Sequence, residues 1–326
     1  MSREPLLNIV LALLLLALPF AAFALDEPFY IDLATRMAVL GLAATGLNLA
    51  LGVGGLVSFG HAAFFGIGGY VAGVMATHAF NAEPIFATPF TVSASDLMPV
   101  IWIVAMSLAA LVALPIGAIS LRTSGVYFIM ITLAFAQMVY YFAISWPAYG
   151  GEDGLALSAR NTLPGVDTAE SLSFFLICYA MLMAGLAAFA VLRNSRFGTA
   201  LEAARQNEIR LAAVGVAPFR VRLVAFALSA GLTGLAGALY ADLNKFVSPS
   251  MLSWHMSGVL IVLVILGGVG RLFGPVAGAM LYVFLEFALG GLTERWQLFL
   301  GLILLGVVLF ARGGLIGMLA GRLRHG

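Results

Sequence analysis

Charged residues are scarce in this sequence, and their scarcity decides the environment of the protein. Only 10% of the 326 residues are charged and 62% are hydrophobic, whereas about 25% of the residues in a soluble domain are charged. A chain this apolar cannot cover a water-facing surface, so we expect it to lie in a lipid bilayer. Its apolar runs are long and do not alternate with polar residues, which excludes a barrel and predicts an all-α polytopic membrane protein.

Residue types that enzymes and metal sites require are also few. The single cysteine, Cys178, cannot form a disulfide within the chain, and its apolar neighbours favour core packing. The four histidines are scattered, and neither a Ser–His pair nor paired carboxylates suggest catalysis. The phosphate-binding pattern G-x-x-x-x-G-K-[ST] is absent. We therefore predict no enzymatic site, metal or cofactor in this chain, and its net charge of +1 implies no nucleic-acid partner.

Ten apolar segments approach the roughly 20 residues that cross a bilayer. The first is longer than the apolar core of a signal peptide, which favours an uncleaved span. The second and third are nearly continuous, interrupted only by Gly52, Gly54, Gly55 and Gly60, so one span plus a re-entrant piece is an alternative there. The predicted spans are 6–25, 34–54, 58–79, 99–120, 125–146, 171–192, 223–241, 254–270, 273–291 and 296–311.

The basic residues predict the orientation, because cytoplasmic loops carry an excess of Lys and Arg. Ten spans that alternate from a cytoplasmic N-terminus leave both termini in the cytoplasm of an inner-membrane protein. Twelve of the sixteen basic residues then lie inside: Arg3, Arg122, Arg193, Arg196, Arg205, Arg210, Arg220, Arg222, Arg271, Arg312, Arg322 and Arg324. The outer side receives Arg36, Arg160, Lys245 and Arg295, together with most acidic residues: Asp26, Glu27, Asp32, Glu83, Asp96, Glu152, Asp153, Asp167, Glu170, Asp242 and Glu294.

The largest inner segment, 193–222, holds six of the sixteen basic residues. Thr199-x-x-Glu202 is a capping-box pattern that predicts a helix start, and Gly215 predicts its end about 15 residues later. Glu202/Arg205 and Arg205/Glu208 are predicted ion pairs on its surface. Such a helix is either a solvated loop helix or a coupling helix that docks on an ATPase subunit. The outer loops 80–98 and 147–170 are predicted to be ordered caps on a single transmembrane domain, 1–326.

This segment and its neighbours resemble the LivM-type permeases of branched-chain amino-acid ABC importers, over about residues 34–282. The loop and the next span match in Glu202-Ala-Ala-Arg205-Gln-Asn207-Glu208, Gly215-Val and Phe226-Ala-Leu-Ser-Ala-Gly231-Leu-Thr-Gly234-Leu-Ala-Gly237-Ala-Leu-Tyr240. Further matches are Gly46-Leu-Asn48-Leu-Ala-Leu-Gly52, Gly55-Leu-Val-Ser58-Phe-Gly60-His61, Leu121-Arg122, Gly150-Gly151, Ser248-Pro249-Ser250 and Leu266-Gly-Gly268-Val-Gly270. The glycine after Glu-Ala-Ala stands later here than in the general ABC-permease motif.

The resemblance implies an ABC importer permease fold in a heteromeric assembly that imports branched-chain amino acids. A second, LivH-like permease subunit completes the pathway, two ATP-binding subunits bind the ATP, and a periplasmic substrate-binding protein delivers the solute. Urea and short-chain amide permeases share these motifs and stay an alternative. The residues implied for coupling to the ATPase are Glu202, Ala203, Ala204, Arg205, Asn207, Glu208 and Gly215.

Polar residues at membrane depth are candidates for the substrate pathway. Asn48, Ser58, His61 and Gln137 either bond across helices as packing groups or line the route of a zwitterion. Glu286 is the only carboxylate within a predicted span, which is little for a secondary transporter driven by ions, because such proteins need ionisable relays. That mechanism is the second alternative.

Glycine and proline indicate how the spans pack. Glycines at helical spacing predict close helix approach, and Pro115 predicts a kink in the fourth span. Broken helices at membrane depth are where transporters bind substrate, which points to residues 52–60. The glycines predicted to pack helices are Gly69, Gly73, Gly231, Gly234, Gly237, Gly274 and Gly278.

The coupling hypothesis predicts the effect of two charge reversals. Glu202→Lys and Glu208→Lys are expected to weaken binding of an ATPase subunit, because they invert the charge of the docking helix, and to leave membrane insertion intact. Copurification of the ATPase from membranes measures the first effect, and the amount of inserted protein measures the second. Normal copurification with full transport by both variants would contradict the assignment.

Overall fold

The computed structural model of the chain describes residues 4–82, 84–86, 92–292, 295–310 and 313–320. The first half forms α1 Glu4–Ala24, α2 Pro28–Asn48, α3 His61–Phe80, α4 Met98–Ser120, α5 Val126–Ile144 and α6 Ser171–Asn194. The second half forms α7 Arg196–Gln206, α8 Glu208–Ala213, α9 Pro218–Asn244, α10 Trp254–Gly267, α11 Gly274–Gly290, α12 Trp296–Phe310 and α13 Gly314–Ala320. Two antiparallel strand pairs complete it: β1 Pro84–Phe86 with β2 Val92–Ser93, and β3 Leu155–Ala156 with β4 Phe246–Val247.

Each predicted span coincides with a helix. Within the described residues, seven helices are long and apolar enough to cross a membrane, namely α1 to α6 and α9. The other three, α10, α11 and α12, have 14, 17 and 15 residues. The all-α polytopic class is therefore confirmed, and the count of ten spans stays a prediction. Helix α4 runs through Pro115 without ending there.

The second and third spans are separate helices. Helix α2 ends in a π-helical turn, Leu49–Val53, and α3 begins at His61 rather than at residue 58. Between them Gly55 has a φ of +69°, a conformation that a residue with a Cβ adopts only with strain. The glycines of this stretch thus break the helix, and the lengths of α2 and α3 favour two spans over one span plus a re-entrant piece.

Helix α2 is the centre of the bundle and packs against α6, α9 and α11. Nearly every residue from Ala34 to Asn48 is buried, because alanine, glycine and threonine let several helices approach it at once. The hydroxyls of Thr35 and Thr45 donate to the carbonyls of Ile31 and Gly41, at 2.8 and 2.7 Å. These polar side chains are therefore satisfied within their own helix, and burying them leaves no donor unpaired.

Helices α3 and α9 cross at glycines. A Cβ on Gly68 would overlap the carbonyl oxygen of Gly234, and one on Gly237 would overlap that of Phe65. A Cβ on Gly231 would lie 3.3 Å from the Met106 carbonyl oxygen of α4. The predicted glycines Gly274 and Gly278 lie against the turn and helix of α10. The bundle is therefore held by backbone contact as well as by side chains.

After α9 the chain turns back into the bundle. Strand β4 pairs with β3, and a 3₁₀ turn at Pro249–Leu252 packs on α3. The predicted packing glycines Gly73 and Gly69 contact this segment through Val247 and Met251, and Gly69 also lies near the Gly237 carbonyl of α9. The Ser257 hydroxyl then donates to the Phe59 carbonyl at 2.6 Å. This segment runs beside α3 from the C-terminal half of α3 to its N-terminal half. Helix α10 therefore starts inside the bundle, which explains why α10 is short.

The loops gather at two opposite ends. At one end, which we call the inner end, Arg193 donates to the Gly270 carbonyl at 2.8 Å and Arg271 lies 3.5 Å from Glu4. At the other, the outer end, the Met98 amide donates to the Thr162 carbonyl at 2.9 Å. This grouping is what alternating spans require. Some residues used for the orientation lie outside the described part of the chain: Arg3, Glu83, Glu294, Arg312, Arg322 and Arg324.

The α3–α9 crossing generates a stability prediction. Gly237→Ala is expected to destabilise the bundle by about 1–3 kcal/mol, because its methyl group would overlap backbone that cannot move away alone. Gly258→Ala on α10, where a Cβ meets nothing within 4 Å, is the matched control and should change little. Thermal unfolding of both variants in detergent measures the difference, and equal midpoints would rule out backbone packing as the reason for Gly237.

Candidate functional site

A long apolar groove separates α5 from α3 and α4, and we call it the apolar chamber. Its volume is about 860 Å³, within the range of small-molecule sites. Helix α4 lines it with one face, since every contributing position is four residues from the next: Val100, Val104, Leu108, Val112 and Ile116. The helix rises about 24 Å over the sixteen residues from Val100 to Ile116. The chamber therefore extends over most of the thickness of a bilayer core, which is about 30 Å.

Aromatic side chains close the outer part of the chamber. Trp146 packs edge-on against Phe142 and Tyr149, with ring centroids 5.3 and 4.7 Å apart, and all three rings line the chamber. The Tyr149 hydroxyl is 3.0 Å from His78 Nε2. Lower in the chamber, the Tyr70 hydroxyl is buried and has no hydrogen-bond partner. The wall thus offers mainly apolar contact together with one free hydroxyl.

Helix α5 is the least embedded wall of the chamber. Only four of its residues are buried: Phe128, Thr132, Ala136 and Ala143. At its inner end the Thr132 hydroxyl accepts from the Phe59 amide at 3.2 Å, which ties α5 to the non-helical stretch between α2 and α3. Helix α5 therefore buries little of its surface against the bundle, and a movement of α5 would lose little packing.

Asn48 is engaged in holding the inner turn between α10 and α11. Its side-chain amide donates to the Arg271 carbonyl at 2.9 Å, and its carbonyl accepts from the Gly270 amide at 2.9 Å. It is fully buried and lies outside the chamber lining. The contacts therefore support the packing role that the sequence left open for Asn48.

His61 belongs to a chain of hydrogen bonds inside the bundle. Its Nε2 lies 2.7 Å from the Ser229 hydroxyl, which donates to the Gly46 carbonyl at 2.6 Å. A hydroxyl has one proton to give, so the imidazole donates from Nε2. Ser58, also buried, accepts from the Gly60 amide at 3.1 Å, and Gln137 is half-buried on α5. The four predicted pathway residues thus do not come together, and none of them lines the chamber.

The inner segment after α6 forms two helices instead of one. Ser195, not Thr199, is the N-cap, because its side chain accepts from the Gly198 amide at 3.3 Å; the capping-box prediction is wrong. Asn207 breaks the helix in an extended conformation and caps α8 by accepting from the Arg210 amide at 3.0 Å. Gly215 ends α8 with a φ of +84°, as predicted. Helices α7 and α8 are called the helix pair below.

The helix pair is clamped to the transmembrane body. Arg205 donates to the Gly52 carbonyl at 2.6 Å, and Arg222 of α9 donates to the Ala204 carbonyl at 3.0 Å. Leu201 and Ala204 are buried, Leu201 in a cluster that includes Val53 at the end of α2. The predicted pairs of Arg205 with Glu202 and Glu208 are wrong, because Glu208 pairs with Arg222 instead.

The far side of the helix pair is exposed. Ile209 and Val214 are 82% and 74% exposed, unusual for aliphatic residues in a segment otherwise rich in charge. Glu202 and Arg210 are exposed beside them and Ala203 is half-buried. Of the residues implied for coupling, Ala204 and Arg205 therefore hold the pair to the bundle, while Glu202, Asn207, Glu208 and Gly215 are accessible to a partner.

Several charged residues that the sequence placed in outer loops lie inside helices. Asp32 and Arg36 belong to α2, and Asp242 belongs to the last turn of α9, so Glu286 is not the only carboxylate in a spanning helix. Asp242 is fully buried and accepts from the Asn161 side chain at 2.6 Å. Arg36 pairs with Glu286 at 3.0 Å. The predicted spans are shorter than these helices, because such partners make charged residues tolerable at the helix ends.

Comparison with known proteins assigns the chain to a family. Residues 29–311 match the family described as branched-chain amino acid transport system / permease component. The chain belongs to this family. This chain is similar to the permease protein LivM of the high-affinity branched-chain amino acid transport system from two organisms. The Salmonella typhimurium protein is 27% identical over 312 residues, 88% of this chain and 70% of the relative. The Escherichia coli protein is 26% identical over 340 residues, which are 97% of this chain and 76% of the relative.

A more distant relative is the autoinducer 2 import system permease protein LsrC of Salmonella paratyphi B. It is 29% identical over 152 residues, which are 43% of this chain and 42% of the relative. No solved structure matches the chain. The family match confirms the resemblance stated from the motifs and contains α3, α4, α5 and the helix pair. The chamber and the clamp are therefore parts of the permease unit.

The contact between Arg205 and the Gly52 carbonyl, which holds the helix pair to this branched-chain permease, predicts how one substitution changes the stability of α7. Arg205→Leu keeps the aliphatic contact with Gly55 but loses a charged hydrogen bond, which contributes about 1.5–3 kcal/mol. Backbone amides of α7 should then exchange with solvent roughly tenfold faster or more in hydrogen-exchange mass spectrometry. Arg196→Leu, at an exposed position of the same helix, is the control. Equal protection in both variants would show that Arg205 does not hold the helix pair.

Proposed function

We propose that the protein is the membrane permease subunit of an ATP-binding-cassette importer for the branched-chain amino acids leucine, isoleucine and valine. Family membership and the names of the LivM relatives support this function. The observation that carries it is the apolar chamber, because its wall suits an aliphatic side chain. Burying such a side chain contributes about 1.5–3 kcal/mol.

The lining of the chamber also separates this function from its alternatives. Urea and short amides have little apolar surface, so a wall made of valine, leucine and phenylalanine would contribute almost nothing to their passage. An ion-coupled transporter needs ionisable groups along its route. Arg36, Asp242 and Glu286 lie within helices, but none of them lines the chamber. Both alternatives are thus less well supported than a branched-chain importer.

Coupling in this proposal runs from the helix pair to the chamber. An ATPase subunit in the cytoplasm would dock on the exposed side near Ile209 and Val214, where aliphatic contact and nearby charges give affinity and register. Arg205 passes a push to the inner end of α2, and Arg222 passes it to α9. Helix α9 packs on α3 and α4, the two fixed walls of the chamber. The push therefore reaches the route without passing through a flexible loop.

The assembly in this proposal follows from what the chain does not itself supply. A second permease subunit completes the route, two ATP-binding subunits hydrolyse the ATP, and a periplasmic binding protein delivers the solute to the outer end. The inner end then faces the cytoplasm, as the basic residues predict. Glu202→Lys is the cleaner of the two charge reversals given above, because Glu208→Lys would also break the contact with Arg222.

Blocking the chamber tests the function. Val104→Trp should lower ATP-driven leucine uptake into proteoliposomes at least tenfold, because a larger side chain would fill the middle of the chamber. Ile103→Trp is the matched control, since the neighbouring residue is 66% exposed and does not line the chamber. Full uptake by Val104→Trp would contradict the route. Uptake of urea but not leucine by the wild-type complex would contradict the substrate.

A further inference from the structure

A recess at the outer end, between α2 and α11, carries charges that the proposed route does not use. Its volume is about 500 Å³, and no residue lines both the recess and the apolar chamber. Two helix faces form its walls, each with residues at positions i, i+3, i+4 and i+7, which share one side of a helix. They are Phe29, Asp32, Leu33 and Arg36 on α2, and Val283, Glu286, Phe287 and Gly290 on α11.

The charged groups of the recess are not fully used by one another. Arg36 Nη2 lies 3.0 Å from each Glu286 carboxylate oxygen, yet Arg36 Nε is buried without a hydrogen-bond partner. Asp32 stands one turn away, and its Oδ1 is also buried without a hydrogen bond, 3.6 Å from Arg160. Those two atoms are enclosed, but the Arg36 and Asp32 side chains as a whole are 34% and 47% exposed, so the recess offers a guanidinium and a carboxylate to a ligand.

The rest of the recess is apolar and aromatic. Leu33, Leu243 and Val283 line it, and Phe29 packs against Phe287 at a centroid distance of 5.4 Å. Trp296 stands at its edge. The recess thus combines accessible charged groups with apolar and aromatic walls, a lining typical of small-molecule sites.

We propose that the recess binds a zwitterion, namely a primary ammonium and an anionic group joined by a short linker. The anionic group bonds the exposed part of the Arg36 guanidinium, and the ammonium lies between the carboxylates of Asp32 and Glu286. A zwitterion can pair with both signs of charge in the recess, whereas a lone ion can pair with only one. A free α-amino acid and the headgroup of phosphatidylethanolamine both carry this chemistry, and both can reach the outer end. The proposal does not rest on the transport function.

Binding measurements on the complete importer, purified with its partner subunits in nanodiscs, test the proposal. One arm compares phosphatidylethanolamine with phosphatidylglycerol nanodiscs and measures retained lipid by native mass spectrometry. The other arm adds leucine, without the binding protein, and measures its affinity by calorimetry. We expect the wild type to bind in at least one arm. Lipid retention identifies the headgroup as the ligand, and leucine affinity identifies the free amino acid.

Two variants separate binding from helix joining. Asp32→Asn keeps the Arg36–Glu286 pair and removes one partner of the ammonium, so the affinity should fall about tenfold. Because Asp32 also lies 3.6 Å from the buried Arg160, this variant should lower the thermal midpoint as well, and affinity is compared at a temperature where both proteins are folded. The exchange Arg36→Glu with Glu286→Arg keeps an ion pair between α2 and α11 but moves the cation, and should also lose binding. Val104→Trp should stop uptake and leave recess binding intact, which separates this site from the route. Absence of binding in both arms, or equal affinity in wild type and Asp32→Asn, overturns the proposal.

Discussion

The inner end of α2 is the place on which the rest of the structure depends. Within two turns it supplies the Asn48 side chain that fixes Gly270 and Arg271, and the Gly52 carbonyl that receives Arg205. Gly52 lies in the last turn of this helical stretch, which ends at Val53, and carbonyl oxygens in a last turn have no partner within the helix. One buried helix terminus thus joins the helix pair, the α10–α11 turn and the core.

Rigidly packed helices connect the helix pair to the chamber, and the lightly packed helix α5 borders the chamber on its other side. Glycine contacts between α3 and α9 bring backbone against backbone, so these helices transmit displacement as a unit. Helix α5 closes the chamber from the other side with few buried residues. A transporter must open its route alternately to each side. The contrast between rigid walls and a lightly attached one gives the fold a means of doing so.

Charges inside the spans obey one physical rule. Asp242 is buried with Asn161, and Arg36 is paired with Glu286, because an ionised group at membrane depth is tolerated only with partners. None of these charges borders the chamber. The chamber stays apolar while charged pairs stand at the outer ends of helices, where water and headgroups are near.

Composition and motif determined much about this protein. The scarcity of charge required a bilayer, long apolar runs required helices, and the motifs from Gly46 to Gly270 pointed to the right family. Glycines at 52–60 correctly separated α2 from α3, because a positive φ is a local property. The capping box at Thr199 failed because Ser195 starts the helix four residues earlier, so Thr199 lies inside it and its hydroxyl donates to the Arg196 carbonyl. The ion pairs of Arg205 failed because its partner is a carbonyl from residue 52. Only the tertiary structure decided those contacts, the inward turn before α10 and the chamber, since each joins residues far apart in sequence whose meeting no local pattern encodes.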